Sequence, residues 1–149
     1  MQKGDEVGAA FRKAKIVFLT TFSRNGEEHS RPMTNFTEEP SELIWFPTDT
    51  KTRKVEDIKA NSRVVVTFPS ESEGVFYELE GEARLASQEE VDKRWTWWWL
   101  YWHPEEADRF WFPKGGSHPE RAIIDITPKK VRRVAGEKME KLLKSIHGF

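Results

Sequence analysis

A run of β-branched and aromatic residues, 15–23, stands directly before the dipeptide Asn25-Gly26. Such a run is typical of a buried strand. Asn-Gly is the strongest short-range signal for a tight hairpin, because both residues tolerate a positive φ. The sequence therefore predicts an antiparallel strand pair, with the return strand over residues 28–37.

Further strand-forming runs follow, each bounded by Pro, Gly or polar turn residues. Residues 75–85 alternate apolar and polar side chains, as expected for one long strand with one buried face. The remaining predicted strands are 43–46, 63–68, 121–126 and 130–135. Helical spacing of apolar residues predicts helices over 5–14, between Thr52 and Asn61, from Gln88 to about His103, over 105–111 and over 137–146.

Six or seven strands with helices inserted between them favour the α+β class with an antiparallel sheet. A closed or partly closed β-barrel with peripheral helices best protects the sheet edges from pairing with other chains. The 149 residues suit one domain, residues 1–149.

The composition excludes several classes of function. Lys and Arg number 24 against 25 Asp and Glu, so no basic excess marks a nucleic-acid binder. There is no Cys, which removes disulfides and thiolate chemistry, and the four His show no metal-ligand spacing. No apolar run is long enough to span a bilayer, and residues 1–6 lack the apolar core of a signal peptide. We expect a cytoplasmic protein with no metal, nucleic acid or membrane partner.

Two short motifs combine cationic and hydroxyl side chains. Arg31 lies in the segment 30–33, beside Pro32, which a strand tolerates only at an edge, an end or a bulge. Thr52, Arg53 and Lys54 open a predicted helix, where cations oppose the helix dipole unless an anion is bound. A solvated basic loop is the alternative interpretation. The motifs otherwise predict a phosphate site shared by two strand ends and a helix N-terminus.

The order of these motifs resembles the pyridoxamine 5′-phosphate oxidase-like flavoproteins, and within them the general stress protein branch. The resemblance is carried by segments 30–33, 45–50, 52–55, 58–61, 63–66 and 80–83 and extends from about Phe11 to Ile126. It implies a six- to seven-stranded antiparallel split β-barrel with peripheral helices. It also implies a homodimer with FMN bound at the subunit interface.

The resemblance also assigns the cofactor contacts. Arg31, Arg53 and Lys54 would hold the FMN phosphate, with Thr52 as a hydroxyl donor. The other expected contacts are with the flavin ring, along two strand segments and one position near the Gly-rich loop: Pro32, Met33, Thr34, Phe46, Pro47, Thr48 and Trp111.

The function implied is an FMN-dependent oxidoreductase that acts on a small-molecule substrate or a nicotinamide reductant, with no catalytic side chain assigned. True pyridoxamine phosphate oxidases end in a substrate-binding segment with Trp, Arg and His, and the helix 137–146 replaces it here. That particular activity is therefore not expected. The alternatives are a non-catalytic flavin-binding stress or carrier protein and a deazaflavin- or haem-binding relative.

Aromatic and imidazole side chains leave further options open. Five of the seven Trp fall between Trp95 and Trp102, where they would serve as core and dimer contacts or as a wall over a planar ligand. His29, His103 and His147 are interpreted as surface or packing residues. His118, in the loop 114–118, is the one candidate for proton transfer.

Overall fold

The computed structural model describes residues 6–35, 44–94 and 120–137. The helices are α1 (Glu6–Lys13), α2 (Arg53–Ala60) and α3, of which residues 88–94 are described. The six strands are β1 (Ile16–Phe22), β2 (Glu28–Thr34), β3 (Ile44–Asp49), β4 (Arg63–Pro69), β5 (Val75–Leu85) and β6 (Arg121–Ala135).

The strands form one sheet in the order β2-β1-β4-β5-β6-β3, and every neighbouring pair is antiparallel. The sheet curls into a half-barrel, which confirms the predicted α+β split barrel. β2 and β3 occupy the two ends of the strand order, so the segments that carry the predicted site lie at sheet edges.

The core lies on one face of this curled sheet. β1 and β4 contribute fully buried residues such as Leu19 and Val66, and α2 adds Val55 and Ile58. Phe11 of α1 packs edge-to-face on Phe68, with 5.1 Å between ring centroids. Both helices therefore cover the core face of the sheet, and α2 does so next to the edge strand β2.

The β1–β2 hairpin forms as predicted, with Gly26 at φ +83° in the turn. β2 pairs with β1 in continuous register, including Pro32 opposite Phe18. Of the three positions that tolerate a proline, β2 provides the edge and no bulge, because an edge strand can leave one N–H side unpaired. β3 does not end at Pro47 but continues to Asp49, since Pro47 also lies on an edge strand.

The two predicted strands 121–126 and 130–135 are one continuous strand, β6. Pro128, which lies between the two predicted segments, pairs with Gly81 where the β5–β6 register shifts between Glu80 and Gly81. A bulge accommodates a proline because the ladder is interrupted there. The sheet consequently has six strands within the described residues, at the lower end of the predicted number.

Replacing Gly81 with alanine should destabilise the fold by about 1–3 kcal/mol, because the added methyl group overpacks the contact between β5 and β6 at this bulge. A Cβ at this position would lie 2.7 Å from Ile126 Cγ2 and 2.8 Å from the carbonyl oxygen of Thr127. Urea unfolding measures the loss. The neighbouring exposed substitution Glu82→Ala is the control and should change stability by less than about 0.5 kcal/mol. Equal midpoints for the two variants would contradict the close approach.

The helix after Ser87 also begins where expected. Ser87 accepts a hydrogen bond from the Glu90 N–H at its Oγ, at 3.3 Å, and α3 starts at Gln88. Four predicted features lie outside the described residues, the last of them for most of its length: the Trp cluster, the helix 105–111, the loop 113–119 and the helix 137–146. Among the residues that are described, no helix is long and apolar enough to cross a bilayer.

Candidate phosphate site

Arg31 lies on the core face of the edge strand β2. It pairs with Leu19, and its Nη1 donates to the Leu19 carbonyl at 3.1 Å and to Thr21 Oγ1 at 2.9 Å. His29 and Met33 share this face because side chains two apart on a strand point the same way. Arg31 is thus fixed at the rim of the core rather than extended into solvent.

The first turn of α2 lies beside this rim and has no side-chain cap. Thr52 is the N-cap residue in extended conformation, but its hydroxyl donates to the Asp49 carbonyl at 2.9 Å. The Thr52 side chain therefore does not cap the first-turn N–H groups of α2. Arg53 and Lys54 are the first two residues of the helix. Free N–H groups together with two cations are suited to bind an anion.

A chain of hydrogen bonds connects Arg31 to Arg53. Thr21 accepts from Arg31 and donates its own hydroxyl to Asp57 Oδ2 at 2.7 Å. The same Oδ2 lies 2.7 Å from His29 Nδ1, and His29 Nε2 lies 3.4 Å from Arg53 Nη1. This network brings β1, β2 and α2 into one polar cluster, which we call the rim network: Thr21, His29, Arg31, Arg53 and Asp57.

The electrostatics of the cations favour an added negative charge. Burial lowers the pKa of Arg31, Asp57 raises it, and the charge of Arg53 lowers it again, so that it lies below its ordinary value. Burial and the neighbouring Arg31 lower the pKa of Lys54, against an opposing effect of Asp49. Across the described ranges, none of Arg31, Arg53 and Lys54 forms an ion pair with a carboxylate. A bound anion would relieve this mutual repulsion.

Asp57 is the buried carboxylate of the rim network. Burial by itself raises its pKa, but the hydrogen bonds from His29 and Thr21 and the nearby positive charge outweigh burial, so that the pKa lies below its ordinary value. Asp57 therefore stays ionised at neutral pH and acts as an acceptor for both partners. Its stabilising contribution is present at neutral pH and is lost as the pH falls through its lowered pKa.

The interpretation of His29 as a surface or packing residue is incomplete, and Asp57 and Thr21 were missed. His29 is two residues from Arg31 on one strand face, and Asp57 is four residues from Arg53 on one helix face. These two spacings were the available signal. The sequence alone did not show that α2 packs on the β1–β2 hairpin, which is what brings these residues together.

The other residues that were expected to contact the flavin differ in how deeply they are buried. Met33 is partly buried and packs on the core, whereas Pro32 and Thr34 are exposed on the opposite face of β2. Phe46 is completely buried, so only its main chain could reach a ligand. Pro47 and Thr48 are half-buried on β3, close in sequence to the start of α2. Trp111 lies outside the described residues.

With the fold and the rim network in place, comparison with known proteins identifies the family. The family described as pyridoxamine 5′-phosphate oxidase like matches residues 2–146. General stress protein 26 of Bacillus subtilis is 32% identical over 129 residues, covering 83% of each chain. The chain therefore belongs to the pyridoxamine 5′-phosphate oxidase-like family.

Solved structures share the fold at lower identity. An F420 reductase aligns with a TM-score of 0.60 and 20% identity, covering 89% of this chain and 98% of its own. A pyridoxamine 5′-phosphate oxidase-related, FMN-binding protein from Nostoc punctiforme aligns with a TM-score of 0.60 and 16% identity, covering 88% and 80% of the two chains. At these identities the likeness concerns the fold alone.

Proposed function

We propose that this chain binds FMN by its phosphate and acts as a flavin-dependent oxidoreductase, with the flavin at a homodimer interface. The observation that carries the proposal is the convergence of Arg31, Arg53 and Lys54 without a carboxylate partner in the described ranges. A dianionic phosphate is the ligand that suits three cations beside an uncapped helix start.

The residues present suit a single flavin phosphate better than a partner surface on which negative charges are widely spread. Arg31 is held in one orientation by Leu19 and Thr21, and such preorganisation suits one defined ligand geometry. Half-buried Pro47 and Thr48 offer the adjoining edge of β3 to the ring of the cofactor. The Nostoc punctiforme protein of the same fold is described as FMN-binding, which supports this choice.

When bound, the isoalloxazine would supply hydride or electron transfer, while the protein binds and orients it. The described residues would contribute anchoring: Arg31, Arg53 and Lys54 would hold the phosphate, and Pro47 and Thr48 of β3 would contact the ring. No covalent protein catalyst is needed for such chemistry. The anchoring residues would hold the cofactor, and the residues that choose the substrate would belong to another part of the chain. The segment 95–118 is the candidate from the sequence.

The homodimer part of the proposal is supported by the sheet face opposite the core. There a cavity of about 270 Å³ is lined by apolar Phe22, Val65 and Val134 among charged neighbours. Ion pairs line the same face: Arg63–Glu80 at 3.1 Å and Arg132–Glu78 at 3.4 Å. Size-exclusion chromatography with light scattering tests this. A mass of two chains is expected, and a monomer at micromolar concentration would contradict it.

The absorbance spectrum of the purified protein, followed by mass spectrometry of the released ligand, tests the cofactor. A flavin spectrum and the mass of FMN are expected. An F420 spectrum would favour the deazaflavin alternative, consistent with the F420 reductase that shares the fold. A Soret band would favour haem. A colourless protein that takes up no added FMN would overturn the proposal.

Turnover is tested separately from binding. NADH or NADPH is added anaerobically to the FMN-loaded protein, and loss of the flavin absorbance is followed. Bleaching on the time scale of seconds to minutes supports an oxidoreductase. A flavin that stays oxidised with both nicotinamides and with other biological reductants would favour the non-catalytic carrier or stress protein.

A further inference from the structure

His29 occupies an unusual position within the rim network, between a buried carboxylate and a cation. Its Nδ1 lies 2.7 Å from Asp57 Oδ2 and its Nε2 lies 3.4 Å from Arg53 Nη1. The side chain is 18% exposed, so the ring is not completely enclosed by protein. A histidine that only filled space would not need both nitrogens directed at charged groups.

The ionised state of Asp57 fixes the tautomer of His29. An ionised carboxylate is an acceptor only, so Nδ1 must carry the proton of this hydrogen bond. In the neutral ring Nε2 is then an acceptor, and its partner is Arg53. In the protonated ring Nε2 becomes a charged donor, with Asp57 as its counter-ion. The same arrangement thus has two states that differ by one proton and by the kind of ligand that Nε2 can bind.

The charged groups around His29 favour the second state when an anion is present. Asp57 and Arg53 reach the ring from α2, Glu27 Oε2 lies 4.0 Å from Nε2, and Arg31 is joined to it through Thr21 and Asp57. β1 contributes only the neutral Thr21. Arg53 Nη1 lies 3.4 Å from Nε2, so an anion bound between Arg53 and Arg31 would also face Nε2 and could accept its N–H.

We propose that His29 is a fourth ligand of the phosphate, and that it takes up one proton when a phosphate monoester binds. The proposal rests on the proposed function, because it concerns the same site. Asp57 then pairs with His29, which leaves the charges of Arg31, Arg53 and Lys54 to the phosphate. The phosphate monoester of FMN is a dianion, whereas each phosphorus of FAD has one ester and one anhydride bond and carries a single negative charge. The site is thereby selective for FMN over FAD.

The test compares wild type with His29→Asn. Asparagine can keep an N–H donor near the Nδ1 position for Asp57, and it removes the group that faces Arg53. Affinities for FMN, FAD and riboflavin are measured by flavin fluorescence from pH 6 to pH 8.5. The ratio of the wild-type to variant affinities is used because the second ionisation of the FMN phosphate, near pH 6, affects both proteins equally.

For FMN we expect the affinity ratio to be at least about tenfold near pH 6 and to shrink towards unity at pH 8.5, since imidazole loses its proton across this range. For riboflavin, which lacks the phosphate, the ratio should stay near one at every pH. The preference for FMN over FAD should also fall in the variant. Lys59→Gln removes an exposed cation from the same helix and should reproduce none of these changes.

Proton uptake provides a measurement that needs no variant. Calorimetry of FMN binding at pH 7.5 in buffers of different ionisation enthalpy should show a net uptake of protons by the complex. No proton uptake, or a pH-independent ratio in a His29→Asn protein that still binds FMN, would overturn the role of His29 alone. A wild-type chain that binds no FMN would overturn the proposed function as well.

Discussion

FMN binding should weaken by about 3–6 kcal/mol when Arg53 and Lys54 are both replaced by alanine, because each charged hydrogen bond contributes about 1.5–3 kcal/mol. In dissociation constants this is roughly a hundredfold to a ten-thousandfold loss, at 1.4 kcal/mol per factor of ten. The fold should persist, since Arg53 is exposed, Lys54 is half-buried, and neither makes an ion pair within the described ranges. Alanine is also a better helix former than either residue.

The matched control removes two other cations, with Lys59→Ala and Lys129→Ala. Both lysines are 57% exposed, and their surface pairs with Glu56 and Glu82 contribute little. This control changes the net charge by the same amount, so it separates local phosphate contacts from long-range attraction. Fluorescence titration with FMN and with riboflavin measures both effects. Unchanged FMN affinity in the Arg53 and Lys54 variant would refute the phosphate assignment.

Turn and alternation signals in the sequence were sufficient for most of the fold. Asn25-Gly26 predicted the β1–β2 hairpin, and the alternation of residues 75–85 predicted β5 with its observed bounds. These signals are local, because a turn type or a period-two pattern depends on a few neighbouring residues. Proline misled the prediction at Pro47, where the strand was expected to end at residue 46 but continues to Asp49. Whether a proline ends a strand depends on the edge or bulge that tertiary structure provides, which local patterns do not reveal.

The sequence predicted only those residues of the candidate site that are unusual in their own segment. Arg53 and Lys54 were identified because cations at a helix start are unusual in themselves, and Arg31 because it stands beside a proline in a predicted strand. His29, Thr21 and Asp57 were not, because each is ordinary in its own segment and gains its role only when α2 packs on the hairpin. The placement of a helix on a sheet is a long-range property of the whole core. Hence the cations of the candidate site were predictable, and the hydrogen-bond network around them was not.

A second large effect, on the free energy of unfolding, is expected when a buried ion pair between α3 and β6 is broken. Asp125 of β6 has a completely buried side chain, and Arg94 of α3 donates to both of its carboxylate oxygens at 2.8 Å. The Arg94 guanidinium also lies 5.3 Å from the ring centroid of Trp45 on β3. Replacing Arg94 with alanine should destabilise the protein by about 3–5 kcal/mol, because it leaves a buried carboxylate without its main partner.

Arg84→Ala provides the comparison for this ion pair. Arg84 also approaches Asp125, at 3.4 Å, but its side chain is 69% exposed, so its loss should cost less than about 1 kcal/mol. Urea unfolding of both variants gives the two values, and similar losses would contradict the burial argument.

A third variant, Arg94→Met with Asp125→Leu, separates charge burial from packing. Breaking a buried pair leaves a desolvated charge, whereas replacing both partners with apolar groups removes that charge altogether. The double variant should therefore recover most of the stability lost in Arg94→Ala. If it does not, the pair is needed for the geometry of α3 on β6 and β3, and the loss in Arg94→Ala then reflects packing as well as charge burial.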